Sequence, residues 1–115
     1  MLAHSRNEAT DEILDTLSHP LRRRLLFSLY ERDSDSGELP LHRVSNLAFE
    51  EENVRVELYH VQLPKLEEKG YVCWDGDEDT ITEGPEWNQI EPLLRLLYNH
   101  LNELPSQLRG TASLP

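Results

Sequence analysis

Residues 53–74 read NVRVELYHVQLPKLEEKGYVCW, Asn53 to Trp74. Val54, Val56, Leu58, Val61, Leu63 and Leu66 make an apolar run long enough to be a helix. Val54, Val56 and Leu58 also alternate as a strand would, but the later Leu63–Leu66 spacing is helical. Pro64 falls inside the run. It lacks a backbone donor and crowds the preceding turn, which predicts a bend. The run stops at Lys69-Gly70, where glycine takes a left-handed C-terminal cap at little steric cost. Tyr71-Val72-Cys73-Trp74 then reads as a strand. It pairs with Thr80–Thr82 as a hairpin across the acidic turn Gly76-Asp77-Glu78-Asp79.

Upstream, residues 1–9 are polar and expected to be flexible. Thr10 can cap a helix whose first turn holds Asp11 and Glu12, with Ile13, Leu14 and Leu17 on its apolar face. Ser18-His19-Pro20 breaks that helix, and Pro20 suits the first turn of the next, which carries Leu21, Leu25, Leu26, Leu29 and Tyr30. Arg22, Arg23 and Arg24 form the charge run of this second helix. They either pair with nearby acids or touch a nucleic-acid backbone. Residues 33–37 are a loop by composition. Leu39 to Phe49 reads as a third helix, with Leu41, Val44 and Leu47/Ala48 inward and Arg43 and Asn46 outward. Downstream, Gly84-Pro85 punctuates the chain. Trp87, Ile90, Leu94, Leu97, Leu101 and Leu104 then recur at alternating spacings of three and four, a heptad seam that could pack on its own domain but whose length favours a two-fold dimer contact, with Pro92 splitting off or kinking the first turn. The expected domains are a flexible 1–9, a folded 10–83, a dimerisation helix over 86–104 and a flexible 105–115. The fold class is α+β, mostly α, with three to four helices and a two-stranded hairpin.

The 115 residues carry 22 acids and 11 basic residues, a formal charge of −11. Nine of the cations are arginine, and Lys65 and Lys69 are the two lysines. This acidic, lysine-poor balance reads as a protein kept soluble in a high-salt, halophilic cytoplasm. Residues 20–69 hold eight cations and ten acids, so the centre is near neutral inside acidic flanks. A polyanion would have to dock on the centre. The single Cys73 excludes an internal disulfide and a multi-thiolate metal site. No apolar run is long enough for a membrane span, and the opening residues lack a signal-peptide layout, so a cytoplasmic location is expected.

Two stretches resemble a known superfamily. Leu17-Ser18-His19-Pro20-Leu21-Arg22-Arg23-Arg24-Leu25-Leu26 resembles the opening helix of ArsR-type winged helix-turn-helix regulators. His60-Val61-Gln62-Leu63-Pro64-Lys65-Leu66-Glu67-Glu68-Lys69-Gly70-Tyr71-Val72 is similar to their junction between recognition helix and wing. The Leu-Pro-Lys-Leu core is similar to an uncharacterised haloarchaeal branch. The likeness covers roughly residues 10–83. It implies a homodimer on double-stranded DNA that regulates transcription, with the central helix in the major groove and the hairpin as wing. Three features depart from the pattern. The metal-sensing cysteine motif is absent. The wing tip holds Asp75, Asp77, Glu78 and Asp79 in place of basic residues. The central helix opens on three glutamates and shows two apolar stripes, Val54/Leu58/Val61 and Val56/Tyr59/Leu63/Leu66.

The groups able to reach bases or phosphates are Arg43, Asn53, Arg55, His60, Gln62 and Lys65. Asp75, Asp77, Asp79 and Glu86 match positions 1, 3, 5 and 12 of a calcium loop, but Thr80 stands where that loop needs glycine, so a salt-solvated tip is the expected state. The five histidines are scattered without metal-ligand spacing, and no phosphate-cradling glycine loop occurs; no enzyme, metal or cofactor is expected. The alternative to DNA binding is a winged-helix protein-interaction module that uses the second apolar stripe.

Overall fold

A computed structural model describes residues 2–32, 37–44 and 51–105, with side chains from residue 10 onward. Two helices, α1 (Leu2–Leu17) and α2 (Pro20–Glu31), open the chain. A short strand β1 (Leu39–Pro40) and a 3-10 turn (Leu41–Arg43) follow. Next comes a helical rod: α3 (Glu52–Glu57), a π-helical turn (Leu58–Gln62) and α4 (Leu63–Glu68). Strands β2 (Val72–Asp75) and β3 (Thr80–Glu83) form the hairpin, and α5 (Trp87–Asn99) with a 3-10 turn (Leu101–Glu103) closes the order. The fold is α+β and predominantly helical.

The break at Ser18–Pro20 is where the sequence places it. His19 caps α2: its Nδ1 accepts the Leu21 N–H at 3.1 Å. Helix α1, however, begins at Leu2, so Thr10 lies within it and not at its cap. The segment over 1–9, expected to be flexible, is helical over residues 2–9.

The largest departure is residues 39–44. Leu39 and Pro40 pair antiparallel with Ile81 and Thr80, so the sheet has three strands in the order β1-β3-β2. Proline at position 40 pushes Leu39 away from helical dihedrals, and an edge strand tolerates the missing donor. The Leu41 N–H donates to the Asp79 carbonyl at 3.0 Å, tying this strand to the hairpin turn. The rest of the expected third helix, including Asn46 and Leu47/Ala48, lies outside the described residues.

The rod ends as its sequence dictates. Gly70 has φ +84, the Tyr71 N–H donates to the Leu66 carbonyl and the Gly70 N–H to the Glu67 carbonyl, which is a Schellman cap. Gly84 has a tertiary reason to be glycine. A Cβ there would sit 2.3 Å from the Gly70 carbonyl oxygen and 2.8 Å from the Val72 nitrogen. The end of the rod, the start of β2 and the approach to α5 therefore meet backbone to backbone.

The core is built by Leu25, Leu26 and Phe27 from α2, Leu58, Leu63 and Leu66 from the rod, Ile81 from the sheet, and Ile90 and Leu94 from α5. This corrects the expected dimer seam. Trp87, Ile90, Leu94 and Leu101 are buried within this one chain, and Leu97 and Leu104 pack half-buried against the same core. The heptad repeat marks a face that α5 lays on its own domain, mostly against α2. Pro92 lies inside α5 without dividing it.

Candidate nucleic-acid interface

Pro64 decides the geometry of the rod. With no N–H at 64, the ordinary bond to the residue-60 carbonyl cannot form. The chain widens into a π turn in which the Leu63 N–H donates five residues back, to the Leu58 carbonyl. One residue is thereby inserted into the helical repeat, turning every later side chain by about 100° against the earlier ones. Neither apolar stripe of the sequence survives intact. Leu58, Leu63 and Leu66 are fully buried and Val54 and Tyr59 half-buried, while Val56 and Val61 stand 49% and 45% exposed. The first half of the rod, Glu52–Glu57, contains no buried residue.

Of the six expected contact residues, Arg43, Asn53, Arg55, His60 and Lys65 are exposed. Arg55 and His60 share a shallow depression of about 320 Å³ with Glu52, Val56 and Tyr59. Arg55 lies toward the hairpin, near enough to Tyr59 to act on its phenol, whereas Lys65 lies toward the α2 N-terminus and acts on His19. The cations therefore flank the rod and do not form a single cluster. Arg43 stands apart on the 3-10 turn.

Gln62 does not belong to this surface. It is 2% exposed, and its Oε1 accepts from Arg22 Nη1 at 2.7 Å while its Nε2 donates to Glu57. Arg22 is itself buried. Its Nε donates to the Thr16 carbonyl at 2.7 Å and its Nη2 to the Asp15 carbonyl at 2.8 Å. Arg23 Nη1 donates to the Leu17 carbonyl at 2.7 Å. Both guanidiniums thus bind carbonyls of the last turn of α1, where Ser18 supplies further donors to Asp15 alone. Where the sequence suggested pairing with acids or contact with a nucleic-acid backbone, Arg22 and Arg23 are seen to close a helix. The line continues from Glu57 to His19, whose Nε2 is 3.6 Å from the carboxylate. Burial and the neighbouring Arg22 hold the His19 pKa below its usual value, against the pull of Glu57. A relay of Arg22, Gln62, Glu57 and His19 thus fixes the rod on α1 and α2.

The hairpin is tied to the other side of the rod. The Tyr59 hydroxyl donates to the Asp79 carboxylate, at 2.9 and 3.1 Å from its two oxygens. The Tyr59 and Trp74 ring centroids lie 5.8 Å apart, and the Trp74 backbone N–H donates to the Glu67 carboxylate at 3.3 Å. Burial, then the bond to Asp79, push the Tyr59 hydroxyl up to about 12. Asp75 Oδ1 takes the amides of Asp77 and Glu78, and Asp79 adopts φ +58. The Asp75 carboxylate is thus engaged by the turn and that of Asp79 by the rod. The calcium-loop pattern is not assembled either, since no group of metal-binding side chains occurs among the described residues. Cys73 lies on the exposed face of β2.

No residue pattern signalled the Tyr59–Asp79 tie or the burial of Gln62; Pro64 was the one available signal that the helical phase would shift. Among the described residues no helix is long and apolar enough to cross a membrane. Comparison with protein-family models, with curated proteins and with solved structures gave no match for this chain.

Proposed function

We propose that the chain is a winged helix-turn-helix protein of the ArsR-like type, a DNA-binding transcriptional regulator acting as a homodimer in a high-salt cytoplasm. The observation that carries the reading is the outward rod: a helix with no buried residue in its first half, standing beside a β-hairpin. The order of elements supports it, with the 3-10 turn preceding the rod and the hairpin following it. Asn53, Arg55, His60 and Lys65 then supply base and phosphate contacts. The hairpin acids would repel phosphates in dilute buffer. At molar salt the Debye length is about 3 Å, so that repulsion fades together with the counterion-release drive, and fit to the groove takes over. Since the heptad seam faces its own core, pairing would use other apolar residues. Among the described residues, Leu14 on α1 and Leu96 on α5 are exposed apolar side chains away from the rod.

The test is a mobility shift with genomic duplex fragments from about 0.1 M to about 3 M potassium chloride. Binding should persist at high salt, Arg55→Ala should weaken it, and Lys65→Ala should lower the salt slope by about one. Absence of a shift at every salt concentration removes the reading. A protein-interaction module is the second reading, favoured by exposed Val56 and Val61 beside four hairpin acids. Rod-dependent capture of a protein without any DNA shift would establish it.

A further inference from the structure

Away from the rod, the C-terminal end of α2, strand β3 and α5 enclose an open cleft of about 510 Å³. Its volume falls within the range of small-molecule sites. Its walls combine aromatic rings with acids. Tyr30, Trp87 and Tyr98 are the rings, and Glu31, Glu83 and Glu91 are the carboxylates. Arg32 is the one cation among the described lining residues, whose formal charges sum to −2.

The rings are held in place. Tyr30 and Tyr98 have centroids 5.4 Å apart and planes at 59°, which makes a corner. Phe27 backs Tyr98 from the core at 6.4 Å. The Tyr98 hydroxyl donates to Glu31 Oε2 at 2.8 Å, fixing the ring and turning the carboxylate toward it. Trp87 is buried and cannot swing away. Glu91 is engaged by Arg95 at 2.8 Å, so Glu31 and Glu83 supply the negative potential.

Aromatic faces and carboxylates attract the same ligand, a cation with apolar bulk. Ring quadrupoles favour positive charge over the ring face, and the acids reject anions. A bare metal ion fits less well: the acids come from three separate elements, and no metal-binding group of side chains occurs among the described residues. We propose that this cleft binds a small organic cation of the quaternary ammonium type, held against the corner of Tyr30 and Tyr98 by cation–π contact and by the charges of Glu31 and Glu83. The site is independent of the DNA-binding reading and stands or falls alone.

The experiment uses the full chain and choline as probe, with 3,3-dimethylbutan-1-ol as its neutral isostere and sodium chloride as ionic control. Binding is read from the choline N-methyl proton shift, and from Trp87 emission in the Trp74→Phe variant. Saturable binding is expected with half-saturation on the order of 1 mM. The N-methyl protons should move upfield, because the ring faces shield them. Tyr30→Leu should weaken binding about tenfold, and the charge-neutral Glu31→Gln, which keeps an acceptor for Tyr98, should weaken it about threefold to tenfold. Tyr98→Phe keeps the ring and should retain most of the affinity. Far-ultraviolet circular dichroism checks each variant's fold, and Glu31→Gln carries the test if Tyr30→Leu fails to fold. Equal binding of choline and its neutral isostere overturns the proposal, as does displacement of choline by sodium at equal concentration. Absence of any saturable shift overturns it as well.

Discussion

Arg22→Met tests whether the buried guanidinium orients the rod. The substitution keeps an apolar stem and removes three hydrogen bonds, to the carbonyls of Asp15 and Thr16 and to Gln62 Oε1. The Asp15 carbonyl still accepts from the Ser18 N–H and hydroxyl. Thr16 and Gln62 are 0% and 2% exposed, so their oxygens are left without a partner. Each such orphaned acceptor costs about 1–3 kcal/mol. Relief from desolvating the guanidinium offsets part of this, because replacing a buried charge with an apolar side chain is often neutral or favourable. The expected net loss is about 3 kcal/mol. Urea unfolding followed by circular dichroism should show the midpoint falling by about 1.5 M with an unchanged slope, taking a slope of about 2 kcal/mol per molar. A double-mutant cycle with Gln62→Leu should give a coupling of at least about 0.5 kcal/mol. A midpoint shift under about 0.5 M, or a coupling indistinguishable from zero, would refute the argument that Arg22 anchors the rod through Gln62.

Leu94→Ala should destabilise by about 2–5 kcal/mol, because Leu94 is fully buried in its own domain. Thermal unfolding should show this loss independently of protein concentration; a loss that grows on dilution would return the heptad seam to a contact between chains. Lowering the pH should also destabilise the fold through His19. Its folded pKa is depressed, chiefly by burial, so the unfolded chain binds the proton more readily. The His19 contribution is therefore present above its ordinary value of 6.5 and is lost as the pH falls through the lower folded value. His19→Asn keeps a capping side chain and should flatten the pH dependence of urea midpoints in that window; an unchanged slope would contradict the assignment.

Local chemistry made much of the fold legible. The break at Ser18–Pro20, the glycine stop at 70 and the hairpin around Gly76–Asp79 each depend on a few neighbouring residues. A cap or turn is decided within about one helical turn of itself, so its residues announce it. Of the expected contact residues, exposure was legible for most and burial for none. Five of the six are exposed, and the sixth, Gln62, is taken inward by Arg22, forty positions away.

The sequence by itself determined that a helical rod runs to Gly70 and that an acidic hairpin follows, because propensity and capping act along the chain. Only the tertiary structure decided which sides of these elements find partners. Leu39–Pro40 became a strand because β3 offered it an edge. The heptad face of α5 turned inward because α2 offered it Phe27 and its neighbours. The missing N–H of Pro64 is a local fact; its consequence, that Val56 and Val61 point outward while Leu58 and Leu63 are buried, exists only once the rod has a core to pack against. Apolar spacing records that a face wants burial, and the partner that buries it is chosen by contacts far apart in sequence.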